Sequence, residues 1–159
     1  KDNVPTFTVL RSIIKDFQKK NLHFDFIFNI FPASPLLEVR DLQNAYKIFV
    51  KKKMIKPLLV FSKFHSPPEW AFEIKKNKIA YPLNPKKILK TSKKFKKKYF
   101  ESGPFSIYPT RLFEKKNYDV KKGFISYEIS NLRAIDIDEP RDLDFAKALF
   151  FIQKKNKKR

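Results

Sequence analysis

FDFIFNIF, Phe24–Phe31, is the stretch on which the fold turns. Only Asp25 and Asn29 interrupt a run of Phe and Ile, and eight residues are too few for a buried helix. Such a run reads as a strand buried on both faces, the central type found in parallel sheets. Pro32 and Pro35 close it. Immediately downstream, Val39, Leu42, Tyr46, Phe49 and Val50 recur at helical spacing across Glu38–Lys53. Pro57 then opens a second apolar strand, Leu58–Phe64. Strand, helix, strand in that order predicts one right-handed crossover unit, the building block of a wound α/β sheet. Upstream, Phe7, Leu10, Ile13, Ile14 and Phe17 predict an amphipathic helix over Val4–Lys20, with Asn3 or Thr6 as its cap.

Further along, the pattern changes. Ala71–Ile74 and Lys78–Tyr81 flank a turn at Asn77 and predict a hairpin or arm, punctuated by Pro67, Pro68, Pro82 and Pro85. Phe105–Tyr108 and Phe124–Ile129 are strand-like, with a helix expected over Thr110–Lys116 and a last short strand at Ala134–Ile137. Asp138–Glu139–Pro140 starts a final helix, since Pro suits the first helical position after an acidic cap. The Lys154–Arg159 run reads as the solvated end of that helix.

Composition narrows the possibilities. The chain has 159 residues, no Cys and only 2 Gly, so a disulfide framework, a thiolate metal site and a glycine-rich phosphate loop are excluded within it. Aromatic residues reach 16%, far above a disordered tail. No signal peptide is visible and no apolar run approaches the length of a membrane span, so a cytoplasmic location and no membrane partner are expected. The formal charge of +20 first suggests nucleic acid. Arg, the side chain suited to bidentate phosphate and base contacts, occurs at six positions only (11, 40, 111, 133, 141 and 159); the other 30 of the 36 basic residues are Lys. A lysine surplus of this kind reads as a compositional bias, and nucleic acid is not the expected partner. The eleven Lys between Glu73 and Glu101, with no acid among them, nevertheless form a basic rim suited to an anionic substrate or an acidic partner surface.

Chemistry has few places to sit. His23 and His65 lie far apart and read as ordinary loop residues. Ser34, in FPASPLL, lies on the turn leaving the first strand, and ligands of open α/β sheets bind beyond the carboxyl ends of strands. The sharpest feature is AIDIDEPRDLDF, Ala134–Phe145. In extended chain Asp136 and Asp138 share one face, because side chains alternate. Two carboxylates there form a hard-oxygen site suited to Mg²⁺, which is commonly held by one or two carboxylates plus substrate phosphates. The alternative is that Asp138 only caps the final helix.

With these landmarks in order, the chain resembles the cytidylyltransferases that activate nonulosonic sugars: the acylneuraminate enzymes and most closely the pseudaminic acid branch. Phe24–Leu37 is similar to the family's apolar strand and P-T-S-P-L-type turn. PPEWAFEIKKNKIA, Pro67–Ala80, resembles the entry to the dimerisation arm. Tyr99–Ile107 resembles the Y-x-D-x-G-x-F-Y element, and Ala134–Phe145 the D-I-D-x-P-x-D motif. The resemblance implies an α/β, Rossmann-like nucleotidyltransferase of glycosyltransferase-A type. Its mixed sheet would carry helices on both faces and a protruding β arm, with residues 1–159 as a single partial domain and the arm at about 69–98. It also implies transfer of CMP from CTP to a nonulosonic acid with release of pyrophosphate, Mg²⁺ on Asp136 and Asp138, and a homodimer formed through the arm. Ser34 would line the nucleotide and sugar pocket, and Glu101, Gly103 and Phe105 would shape the sugar side. Thr91 stands where the family commonly has Arg, so Lys90 or Lys93 is expected to supply the charge for the sugar's anionic group. The family's basic P-A-R-G-G-S-K loop is not found here, and the first residue is Lys1, so a longer gene product or a truncated relative is expected, with the Phe24–Phe31 edge left open in this chain. The competing readings are a non-catalytic relative serving as a binding module and, behind it, a basic nucleic-acid-binding domain.

Overall fold

The computed structural model describes residues 4–115 and 117–156. The crossover unit forms where the pattern places it. Helix α1 (Thr6–Lys19) leads into β1 (Phe26–Ile30), α2 (Val39–Lys51) and β2 (Leu58–Lys63). The arm is an antiparallel hairpin of β3 (Phe72–Ile74) and β4 (Ala80–Pro82), turned by Asn77, whose side-chain oxygen accepts from the Ile79 amide at 3.2 Å. A long strand, β5 (Tyr99–Pro109), runs back through the sheet, followed by β6 (Ile125–Glu128) and α3 (Pro140–Asn156).

The main sheet has the order β1-β5-β2-β6. β5 is antiparallel to both β1 and β2, and β6 is parallel to β2. β1, β2 and β6 therefore point the same way, with β5 inserted between the two strands of the crossover. The expectation of a central, doubly buried strand at Phe24–Phe31 is corrected. β1 pairs with β5 alone and forms an edge, with Phe28 36% and Ile30 49% exposed. The open apolar edge expected of this stretch is what the sheet shows.

The two faces of the sheet differ. On one, Ala45 and Phe49 of α2 close over Leu58, Val60, Phe105, Ile107 and Ile125 in the main core. On the other, Leu10 and Ile14 of α1 pack with Ile27, Tyr108 and Phe113 in a smaller cluster. Helices thus cover both faces of a mixed sheet, as the α/β reading requires.

Three local expectations change. Pro5 precedes the first helical residue, Thr6, while Asn3 lies outside the described residues. The segment after β5 is a 3₁₀ turn, Thr110–Glu114, rather than an α-helix; Lys116 lies outside the described residues. Ala134–Ile137 is not a strand. Among the described residues its one backbone hydrogen bond across the fold is the Ile137 amide donating to the Ala33 carbonyl at 3.1 Å, too little for a ladder, while Ala134 packs against the main core. α3 runs to Asn156, and residues 157–159 of the basic run lie outside the described residues.

Candidate functional site at the carboxyl edge of the sheet

Because β1, β2 and β6 are mutually parallel in direction, their carboxyl ends deliver three loops to one edge of the sheet, and the antiparallel β5 begins there. Backbone bonds stitch the edge together. Phe31 N–H donates to the Pro104 carbonyl at 3.1 Å, Phe64 N–H to Lys98 at 3.1 Å, and Ile137 N–H to Ala33 at 3.1 Å. Asn131 Nδ2 donates to the Lys63 carbonyl at 2.8 Å and lies 3.1 Å from His65 Nε2.

The last of those backbone bonds sets the Asp136–Asp138 loop against the turn that carries Ser34. Ser34 is buried, whereas Asp136 and Asp138 are exposed and the intervening Ile137 is half-buried. Among the described residues no hydrogen bond or ion pair engages either carboxylate. The cap of α3 is made otherwise. Asp142 accepts from the backbone amides of Glu139 at 2.8 Å and Asp138 at 3.2 Å, which leaves the Asp138 side chain out of the cap. Two uncommitted carboxylates fit a divalent ion completed by ligand oxygens and water. They do not make a closed protein cage, since no group of three His, Cys, Asp or Glu suited to a metal occurs among the described residues.

The loop is pinned three residues before Asp136. Arg133 Nη1 pairs with Asp41 and lies 3.5 Å from Glu38 Oε2. Asp41 is 1% exposed and also accepts from Tyr127 Oη at 2.8 Å and from the Glu38 amide at 3.1 Å, within the capping box that starts α2. Burial first, then the hydrogen bond to Asp41, pushes the Tyr127 phenol up. Gln153 of α3 donates to the Leu132 carbonyl at 3.3 Å and holds the same turn from outside.

The remaining predicted residues are dispersed. Gly103 sits where β5 advances five residues against two in β2, between the Leu59–Ser106 and Phe61–Glu101 pairs. Its φ of +72° explains the glycine, for a Cβ there would meet nothing within 4 Å. Phe105 lies wholly within the core, in ring contact with Phe28 and Tyr127, and touches the site only through packing. Glu101 faces the second side of the sheet, in a cavity of about 530 Å³ with Phe31, Leu59, Ser106 and Tyr108. Desolvation there pushes its carboxyl up. Lys93 lines a separate cleft of about 350 Å³ with Lys63, His65, Lys96, Lys97 and Lys98. Lys90 lies on the arm, its carbonyl accepting from Trp70 Nε1 at 3.2 Å. Beside the cleft, Glu69 is 6% exposed and bonds Lys98 Nζ at 2.6 Å, which holds its carboxyl below the ordinary range.

Sequence reasoning missed Asp41, Arg133, Tyr127 and Glu69; the basic rim it marked supplies Lys93, Lys96, Lys97 and Lys98 of the cleft, to which the fold adds Lys63 and His65. One signal was available for the first: Glu38-x-x-Asp41 ahead of an apolar helical run has the spacing of a reciprocal helix cap.

Comparison with known proteins supports the resemblance. Two curated pseudaminic acid cytidylyltransferases from Campylobacter jejuni, of serotypes O:2 and O:23/36, are 25% and 24% identical to this chain over 149 residues, covering 94% of it. The chain spans 64% of their length, just under two thirds. A solved structure of CMP:2-keto-3-deoxy-manno-octonic acid synthetase complexed with CTP superposes with a TM-score of 0.62 at 12% identity, over 96% of this chain and 70% of that one. No protein-family model matches the chain. The nucleotidyltransferase fold and the likeness to pseudaminic acid cytidylyltransferases, both read from the sequence, are borne out.

Proposed function

We propose, from this kinship with pseudaminic acid cytidylyltransferases, that the chain forms part of an enzyme transferring CMP from CTP to a nonulosonic acid sugar. The anomeric hydroxyl would attack the α-phosphate. A sugar–phosphate bond forms, the bond from the α-phosphorus to the bridging oxygen breaks, pyrophosphate leaves with that oxygen, and the hydroxyl proton is released. The observation that carries the reading is the meeting of the Ser34 turn and the Asp136–Asp138 loop at the carboxyl edge, through the Ile137–Ala33 bond. That is where α/β sheets receive nucleotides.

Asp136 and Asp138 would hold Mg²⁺, which supplies neutralisation of phosphate charge when bound. This chain's residues contribute position. Ser34 borders the nucleotide and sugar pocket. Lys93, in the lysine cleft, offers a point charge to the sugar's anionic group where Thr91 cannot. Gly103 lets β5 turn beside the sugar, with Glu101 on the same strand. The arm carries exposed Ile74, Leu83 and Leu89, the last 94% exposed, which supports its use as a homodimer contact. Sedimentation equilibrium on the chain with and without residues 72–82 tests that contact, and a monomer in both cases would refute it. No described helix is long and apolar enough to cross a membrane, and we place the reaction in the cytoplasm, where CTP is available.

The decisive experiment is CTP-dependent pyrophosphate release with a panel of nonulosonic acids, on this chain and on a version extended upstream. Asp138→Asn in the active version should abolish Mg²⁺-dependent product. Turnover like wild type in that variant refutes the assignment. No turnover from either version with any sugar favours a non-catalytic binding module.

A further inference from the structure

The geometry points to Arg133 as a positioning residue: its ion pair with buried Asp41 fixes the loop bearing Asp136 and Asp138 against the Ser34 turn, so that a divalent ion meets both at once. This rests on the reading of those two aspartates as the ion-holding pair.

The Asp136 loop leaves the sheet at Ile129, whose amide bonds the Phe61 carbonyl at 2.9 Å, and reaches the Ser34 turn at Ile137. Between these anchors the chain makes a turn closed by Arg133 N–H and Ala134 N–H on the Ser130 carbonyl, at 2.8 and 3.1 Å. Those bonds shape the turn but do not aim it. Aim comes from side chains: Ala134 packs against the main core, and beside it the half-buried Arg133 is the charged group drawn inward. Its guanidinium enters a cluster made by Asp41 and Glu38 at the first turn of α2, with Tyr127 of β6 as third partner on Asp41. α2 is the element that follows the Ser34 turn. One ion pair therefore ties together the start of the helix after Ser34 and the loop before Asp136. The exposed partners on this loop, Asn131 to Lys63 and Leu132 to Gln153, are contacts to other elements and cannot set that relation. Groups that orient metal-holding side chains from behind commonly control affinity by about ten- to a hundredfold.

Removing Arg133 alone strands the Asp41 carboxylate, so the test uses Asp41→Asn/Arg133→Gln, which removes both charges, beside Arg133→Lys, which keeps the cation. The probe is Mn²⁺, followed by paramagnetic broadening of amide signals in the chain. In the wild type, Mn²⁺ should broaden Asp136–Asp138 and Ala33–Ser34 together. In the double variant, with Val60 and Ile107 signals unmoved as evidence of an intact core, broadening at Ala33–Ser34 should disappear and Mn²⁺ affinity fall by about tenfold. Arg133→Lys should recover part of both. Wild-type affinity and joint broadening in the double variant overturn the inference. A wild type that shows no broadening at Asp136–Asp138 defeats the metal assignment, and this inference with it, before any substitution is made.

Discussion

Asp41 and Glu69 are both buried carboxylates facing one basic side chain, and they are finished differently. Asp41 receives Tyr127 Oη, the Glu38 amide and Arg133, so both oxygens are satisfied. Glu69 receives Lys98 on Oε1, and its Oε2 is buried with no partner among the described residues. The difference lies in what surrounds each pair. Asp41 sits where a helix start, a strand and a loop meet, and each supplies a donor. Glu69 sits on a 3₁₀ turn beside an arm dominated by lysine ammonium groups, which carry charge without a fixed donor plane. The first cluster can hold a geometry. The second holds a charge in place and leaves the lysine cleft around it adjustable.

The largest expected effect tests the rigid member. Arg133→Gln should lower stability by about 3–5 kcal/mol in urea unfolding, because it leaves a buried charge unpaired, and Asp41→Asn on top should return most of that loss. A single variant no worse than an exposed ion-pair deletion would put the two clusters on the same footing. Next comes Tyr127→Phe, which takes one donor from the Asp41 carboxylate at a cost of about 2 kcal/mol by the same measurement. Lys98→Gln should cost less than either, since Lys98 is half exposed.

Its clearer signature is in acid. The Glu69 carboxyl is held low, so its stabilisation is present above the ordinary carboxylate pKa and is lost as pH falls through the depressed folded value. A pH series of melting temperatures should show that acid limb flattened in Lys98→Gln. The smallest effect is at Glu101, where the sign reverses. Its pKa is raised by burial, so its contribution is present below the ordinary Glu value and lost as pH rises through the raised one. Glu101→Gln should melt slightly higher than wild type at neutral pH, and a lower melting point would contradict the assignment.

The crossover unit was readable because each element carries its own periodicity: Phe24–Phe31, the Val39–Val50 stripe and Leu58–Phe64 need no distant information. The neighbours of β1 did not have that property. Its partner β5 lies more than seventy residues on, and a strand apolar on both faces looks the same from sequence whether it is central or an edge. In β5, Glu101, Ser102, Gly103 and Pro104 interrupt the apolar pattern after Tyr99 and Phe100, so the sequence predicts a strand of four residues where the sheet has eleven. The paired aspartates were legible as a motif, but their meeting with the Ser34 turn runs through the Ile137–Ala33 backbone bond and the Arg133–Asp41 pair, neither of which leaves a pattern. Asp41 was missed despite its capping-box spacing, and Arg133 because a single base looks solvated until the fold draws it against a buried acid. Arg scarcity was a hint: Arg11, Arg111 and Arg133 each reach across the fold, to the Phe113 carbonyl, the Met54 carbonyl and Asp41.

The Asp41–Arg133 pair joins positions 92 residues apart, and the Ala33–Ile137 bond spans a loop of similar length. Closing such loops costs chain entropy that nothing nearby offsets, so this corner should assemble after the sheet has formed, near the end of the folding reaction. Weakening it should then speed unfolding and leave the refolding rate nearly untouched.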